Sequence, residues 1–157
     1  IITGSYHADV DKICELLNIA LATELTCTLR YKSHYYKAKS LGFKIASDEF
    51  LEHAKEEQGH ADKLADRISQ LGGSPKFSPN FILNNSHAQY KDCEYVGEMI
   101  EENMIAERIA VESYRKLVQF IGDSDPTTRR LLEDILAVEE KHLDDLFDVK
   151  AHYNQKQ

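Results

Sequence analysis

Two tetrapeptides in this chain have the residue types and spacing for metal chemistry. Glu57-Gln58-Gly59-His60 places a carboxylate and an imidazole three residues apart, and Glu139-Glu140-Lys141-His142 repeats the spacing. On a helix, residues three apart share a face, so each pair offers an oxygen and a nitrogen donor in one direction. No other His among the 157 residues has a Glu three positions before it. Two such pairs suggest a site for two metal ions, provided further carboxylates complete it.

Four helices are expected to position these groups. The first spans about residues 5–38, with Ile13, Leu17, Ala20, Glu24, Cys27 and Tyr31 stepping along one seam at coiled-coil-like spacing. The second spans about 43–71, with Phe43, Ala46, Phe50, His53, Glu57, His60, Leu64 and Leu71 on its seam. The link around Ser40-Leu41-Gly42 is short, which makes these two helices antiparallel neighbours. Gly72-Gly73 stops the second helix.

Residues 72 to about 91 are the one long connection, rich in turn formers, with Phe77, Phe81, Ile82 and Leu83 expected to pack down. A link this long carries the chain from one end of a bundle to the other, so the third helix runs parallel to the second. That third helix spans about 92–121, with the seam Val96, Ile100, Asn103, Glu107, Ala110, Tyr114, Leu117 and Ile121. Asp125 caps the fourth helix and Pro126 opens it; Thr128, Leu132, Ile135, Glu139, His142, Leu146 and Val149 form its seam, to about Val149. The expected fold is all-α: one domain over residues 1–157, a four-helix bundle with one long crossover between the second and third helices.

Each helix thus carries an ionisable residue midway along its apolar seam: Glu24, then Glu57 with His60, then Glu107, then Glu139 with His142. A buried carboxylate costs several kcal/mol unless it is paired or bound to a metal. Four facing one another would repel, and two divalent cations would neutralise them. A Glu from each of two helices plus Glu-x-x-His from the other two is the general arrangement of di-iron carboxylate bundles. Oxygen-rich ligation with two imidazoles suits iron or manganese better than structural zinc.

Composition narrows the remaining classes. The net charge of -8 argues against a duplex DNA binder and fits a protein that attracts cations. No apolar run approaches the roughly 18 residues of a membrane span, and no signal peptide is visible. Cys14, Cys27 and Cys93 show no CxxC spacing, which points to free thiols in a reducing compartment. A soluble cytoplasmic protein is the expectation, with no nucleic-acid or membrane partner.

The chain resembles the ferritin superfamily over nearly its whole length, and within it the bacterioferritins and the Dps-like ferritins with a bacterioferritin-type centre. The resemblance is carried by Ala22-Thr23-Glu24-Leu25, Glu57-Gln58-Gly59-His60, Ile105-Ala106-Glu107 and Leu136-Ala137-Val138-Glu139-Glu140-Lys141-His142. It implies that Glu24 and Glu107 are terminal ligands, that Glu57 and Glu139 bridge, and that His60 and His142 supply the nitrogens of a dinuclear iron centre. Tyr31 matches a Tyr beside that centre. The implied activity is ferroxidase: Fe(II) oxidised by dioxygen or hydrogen peroxide, with Fe(III) stored as mineral in a hollow homo-oligomeric shell.

Three departures refine the resemblance. Bacterioferritin has a haem-ligating Met directly after the second-helix Glu; here that position is Gln58, so no haem is expected. Only fifteen residues follow His142, about half of them in the fourth helix, which leaves little for a fifth helix and favours twelve subunits over twenty-four. Dps-like proteins with this centre often carry a Cys pair near it; Cys93 matches one member, but the position two after Glu107 is Ile109, and all three cysteines read as small buried hydrophobes.

Glu49, Glu52, His53 and Glu56 read as a solvated face, with lining of an interior surface as the alternative, and Glu98, Glu101 and Glu102 read alike. His7, His34, His87 and His152 are expected to have no metal role. Two other functions stay open: a rubrerythrin-like peroxide-reducing protein without mineral, and a DNA-coating protein, which the acidic chain disfavours.

Overall fold

The computed structural model describes residues 1–156. It contains α1 (Val10–Ser40), α2 (Lys44–Gln70), α3 (Pro79–Asn85), α4 (Val96–Ile121) and α5 (Pro126–Gln155). The four long helices form the expected bundle, and α3 is a short helix within the crossover. Among the described residues no helix is long and apolar enough to cross a membrane.

Local signals account for four of the helix ends. Asp9 caps α1 by accepting from the Lys12 amide at 3.0 Å, and Asp125 does the same for α5 at Thr128, with Pro126 in the first turn. α1 and α2 both end against a glycine in the left-handed region, Gly42 at φ 82° and Gly72 at φ 85°.

Three helix boundaries differ from the sequence expectation by more than two residues. α1 starts at Val10 rather than near Ser5, because the Asp9 cap fixes the first turn. α4 starts at Val96 rather than Asp92; Asp92 and Glu94 instead reach α1 through Ser33 and Lys37. α5 runs to Gln155 rather than Val149, because Tyr153 packs on Phe43 with ring centroids 5.5 Å apart. Thus most of the residues after His142 are helical. In the crossover, Phe81 and Ile82 pack down while Phe77 and Leu83 are exposed.

The crossover lies along α1, pinned at successive heights. The Asn18 side chain accepts from the Lys76 amide, Thr23 accepts from the His87 amide, Arg30 donates to the Gln89 carbonyl, and His34 contacts the Lys91 carbonyl. The chain is thereby returned to the opposite end before α4 begins. Cross-helix pairs fix the directions. Tyr31–His53 and Glu24–His60 make α1 antiparallel to α2. Lys37–Glu94 and Glu24–Tyr114 make α1 antiparallel to α4, so α4 runs parallel to α2.

The seams pack as two apolar clusters. One end holds Leu17, Leu64, Ile68, Ile121, Leu132 and Ile135; the other holds Phe50, Met99, Ile100, Met104, Leu146 and Val149. Burying each large aliphatic side chain contributes about 1.5–3 kcal/mol. These clusters flank a polar layer that no apolar packing stabilises, and Glu24, Glu57, His60, Glu107, Glu139 and His142 lie in it.

Candidate metal centre

All six sequence-predicted residues are buried, none more than 4% exposed. The structure brings them together as two overlapping sets. Glu24, Glu57, His60 and Glu139 each offer a ligand atom within 4.8 Å of the others, and so do Glu57, Glu107, Glu139 and His142. Glu57 and Glu139 belong to both sets, whereas Glu24 and His60 belong to one and Glu107 and His142 to the other. His60 Nδ1 lies 3.1 Å from Glu57 Oε2 and 3.1 Å from Glu139 Oε1. His142 Nδ1 lies 3.3 Å from Glu139 Oε2, 3.5 Å from Glu107 Oε1 and 3.7 Å from Glu57 Oε1.

The donor atoms fit cations. Buried polar groups in folded proteins are nearly always hydrogen-bonded. Yet Glu24 Oε2, Glu107 Oε2, Glu139 Oε2 and His142 Nδ1 are buried without a hydrogen-bond partner among the described residues. The other oxygens of the two single-set glutamates are held from the opposite helix. Tyr114 donates to Glu24 Oε1, and Tyr31 donates to Glu107 Oε1 at 2.5 Å. His142 Nε2 lies 2.9 Å from Glu56 Oε2, which orients its Nδ1 toward the shared carboxylates.

Without cations, protons balance the charge. Burial, with the charges of Glu57 and Glu139, raises the Glu24 carboxyl well above the usual carboxylate range; burial, Glu139 and Glu57 do the same to Glu107. Burial also opposes the charge of Glu57, but hydrogen bonds with His142 and His60 outweigh it and hold Glu57 well below that range. Burial opposes the imidazolium of His60, but Glu139, Glu24 and Glu57 push it up to about 12. His142 is raised likewise, burial being overcome by Glu107, Glu139 and Glu57. These are groups that exchange protons for cations when metal binds.

Sequence reasoning missed three neighbours. His53 is fully buried rather than on a solvated face; its ring stacks on His142 at 4.0 Å between centroids, and its Nδ1 is 3.1 Å from the Tyr31 hydroxyl. Glu56 is half-buried on His142, leaving Glu52 as the exposed member of that group. Tyr114 was placed on its seam with no role at the site. The available signal was spacing: Tyr31 follows Glu24 by seven residues, and Tyr114 follows Glu107 by seven.

Several other residues have structural partners. Glu98 and Glu102 pair with Lys91, and Glu101 pairs with Lys150. His34 serves structure, joined with Arg30 through Asn103. The three cysteines are free thiols; Cys27 and Cys93 are buried as expected, whereas Cys14 is only half-buried, and burial raises the Cys27 thiol well above its usual range. Gln58 is exposed and donates to Asp62.

A model of the ferritin-like domain family matches residues 14–152. The chain belongs to that family. Among its relatives, this ferritin-like protein is 33% identical over 139 residues to the bacterioferritin of Brucella melitensis biotype 1, covering 85% of this chain and 79% of that one. It is 30% identical over 140 residues to a nutrient stress-induced DNA-binding protein of a Synechococcus strain, covering 86% and 78%. In structure it is similar to the bacterioferritin-related protein of Bacteroides fragilis, described as a dodecameric thioferritin. The TM-score is 0.88 at 29% identity, over 94% of this chain and 89% of that one.

Proposed function

We propose that this ferritin-like protein is a ferroxidase that stores iron, a single domain over residues 1–157 working in a cytoplasmic shell. The observation that carries the reading is the pair of overlapping ligand sets sharing Glu57 and Glu139, with four buried donor atoms unpartnered among the described residues. In this reading Glu24 and His60 hold one Fe(II), Glu107 and His142 hold the other, and Glu57 and Glu139 bridge them.

The protein's part is positioning and charge. Tyr114 and Tyr31 fix the two terminal carboxylates, and Glu56 fixes His142. Two Fe(II) supply two electrons, which reduce dioxygen to hydrogen peroxide or hydrogen peroxide to two waters, with two protons taken up in either case. Glu24, Glu107, His60 and His142 release protons as Fe(II) enters and stand beside the oxidant. Fe(III) then leaves as hydrolysed mineral. Gln58 at the haem-ligand position supports a protein without haem.

A homo-oligomeric shell is part of the proposal. The dodecameric description of the Bacteroides fragilis relative supports twelve subunits, with twenty-four as the alternative. DNA coating is not proposed, despite one relative's name, because a net charge of -8 disfavours phosphate contacts.

Electron microscopy of the purified protein after aerobic loading with excess Fe(II) tests the storage reading. Hollow shells with electron-dense cores are expected. Small oligomers that consume peroxide and leave iron in solution would favour a rubrerythrin-like peroxide reductase instead.

A further inference from the structure

Six buried side-chain nitrogen or oxygen atoms lack a hydrogen-bond partner among the described residues. Four belong to the dinuclear centre. The other two are His53 Nε2 and His152 Nε2, and they lie in one region between α2 and α5. Glu49 and His53 are one turn apart on α2, and Asp145 faces them from α5. Each offers a ligand atom within 4.8 Å of the others. His53 Nε2 lies 3.1 Å from Glu49 Oε1 and 3.5 Å from Asp145 Oδ2, without a hydrogen bond to either.

The hydrogen bonds fix which nitrogen is free. Tyr31 gives its hydroxyl hydrogen to Glu107, so its oxygen can only accept from His53 Nδ1. With Nδ1 turned to Tyr31, Nε2 is the nitrogen that faces the two carboxylates. A buried imidazole nitrogen turned toward two part-exposed carboxylates, one of them already paired with Lys141, is a donor set that a divalent cation satisfies. An imidazole oriented through one nitrogen and free at the other is the usual form of a metal-binding histidine.

We infer that Glu49, His53 and Asp145 form a mononuclear site for a divalent transition cation, separate from the six-residue centre. One imidazole and two carboxylates suit Fe(II), Mn(II) or Zn(II). The site has a way in. His53 is fully buried, but the Glu49 and Asp145 side chains are 26% and 24% exposed. Both line a surface hollow of about 270 Å³, together with Asp148 and His152. On its inner side the site meets the dinuclear centre, because the His53 ring stacks directly on His142. A cation held here stands one imidazole ring from the paired ions, on a route between the hollow and the centre. That staging role rests on the ferroxidase reading; the cation site does not.

One group competes for the site. Lys141 Nζ lies 2.6 Å from Asp145 Oδ2, and its side chain is 58% exposed. The incoming cation displaces an amine that can swing into solvent, so Lys141→Met should tighten binding.

Crystals of the whole protein soaked in Zn(II) test the proposal by anomalous diffraction. Wild type should show a peak bonded to His53 Nε2, at the usual zinc–nitrogen distance of about 2.0–2.1 Å, in addition to peaks at the dinuclear centre. Glu49→Gln/Asp145→Asn should lose that peak and keep the paired ones, which also shows that the variant folds. Lys141→Met should fill it at lower Zn(II). Filled paired positions with no third peak overturn the site and leave the ferroxidase reading intact. A third peak that survives in the double variant also overturns it. A third peak with no paired peaks supports the site and counts against the dinuclear reading.

Discussion

Tyr114 on α4 donates its hydroxyl hydrogen to Glu24 on α1. The relation is reciprocal, for Tyr31 on α1 donates to Glu107 on α4 at 2.5 Å. In each case the Tyr follows a site Glu by seven residues and holds the Glu of the other helix. The two halves of the bundle thus supply matching parts: a Glu with a Tyr two turns on, then Glu-x-x-His on the next long helix. Tyr114→Phe leaves one Glu24 oxygen unpaired in a buried place, and Tyr31→Phe does the same to Glu107. Each should destabilise the metal-free protein by about 1–3 kcal/mol in urea denaturation, the usual cost of an unsatisfied buried acceptor. Stabilities within about 0.5 kcal/mol of wild type would show that the hydroxyls carry no such weight.

That Glu24, Glu57, His60, Glu107, Glu139 and His142 share one buried layer was legible because an ionisable residue on an apolar seam is conspicuous against its own helix. The seams themselves were legible for the same reason: nearly every seam residue is buried, apart from half-buried Phe43 and Leu117. His53 was on its seam too, but its position among Glu49, Glu52 and Glu56 made a charged surface the simpler reading. Only the stacking on His142 and the bond with Tyr31 separate it from that face. The start of α4 and the end of α5 were not legible, because tertiary contacts set them: Asp92 and Glu94 reach across to α1, and Tyr153 packs on Phe43.

Shared and unshared ligands should behave differently. Glu24→Gln removes a residue from one set only, whereas Glu57→Gln or Glu139→Gln removes one from both. Isothermal titration with Co(II) at the centre should find about one strong ion per chain retained in Glu24→Gln, and both weakened in the other two, by about 10-fold or more. Equal losses in all three variants would show that Glu57 and Glu139 do not bridge.

If the proposed centre holds cations, they compete there with protons, which gives a pH dependence of definite sign. Glu24, Glu107, His60 and His142 have raised pKa values in the metal-free fold. Their contribution to stability is full below the unfolded values, about 4.3 for Glu and 6.5 for His. It fades as pH rises through the folded values. Glu57 has the opposite sign: its lowered pKa stabilises above about pH 4.3, a contribution lost only in acid. Cations need the deprotonated ligands, so their affinity rises with pH. The Tm difference between Zn(II)-loaded and metal-free protein should therefore grow from pH 5.5 to pH 8, and calorimetry in two buffers should register proton release on loading. A Tm difference that shrinks over this range would contradict the assignment.

Far from the centre, Arg67 and Asp125 form a buried ion pair at 3.1 Å, and Tyr6 and Thr128 complete the hydrogen bonds of Asp125. Arg67→Ala leaves that carboxylate uncompensated and should cost about 3–5 kcal/mol. Oxidation rates of the folded variant should match wild type. Urea denaturation and an iron assay on the same preparation separate the two effects, and a matching loss of activity would tie this end of the bundle to the centre.

The most direct measurement is the rise of Fe(III) absorbance after mixing two Fe(II) per chain with oxygenated buffer or hydrogen peroxide, in wild type and in Glu24→Ala and His60→Ala. The six-residue centre predicts a rapid wild-type phase whose amplitude saturates at about two Fe(II) per chain, and rates at least about 10-fold slower in both variants. Wild-type rates in either variant would contradict it.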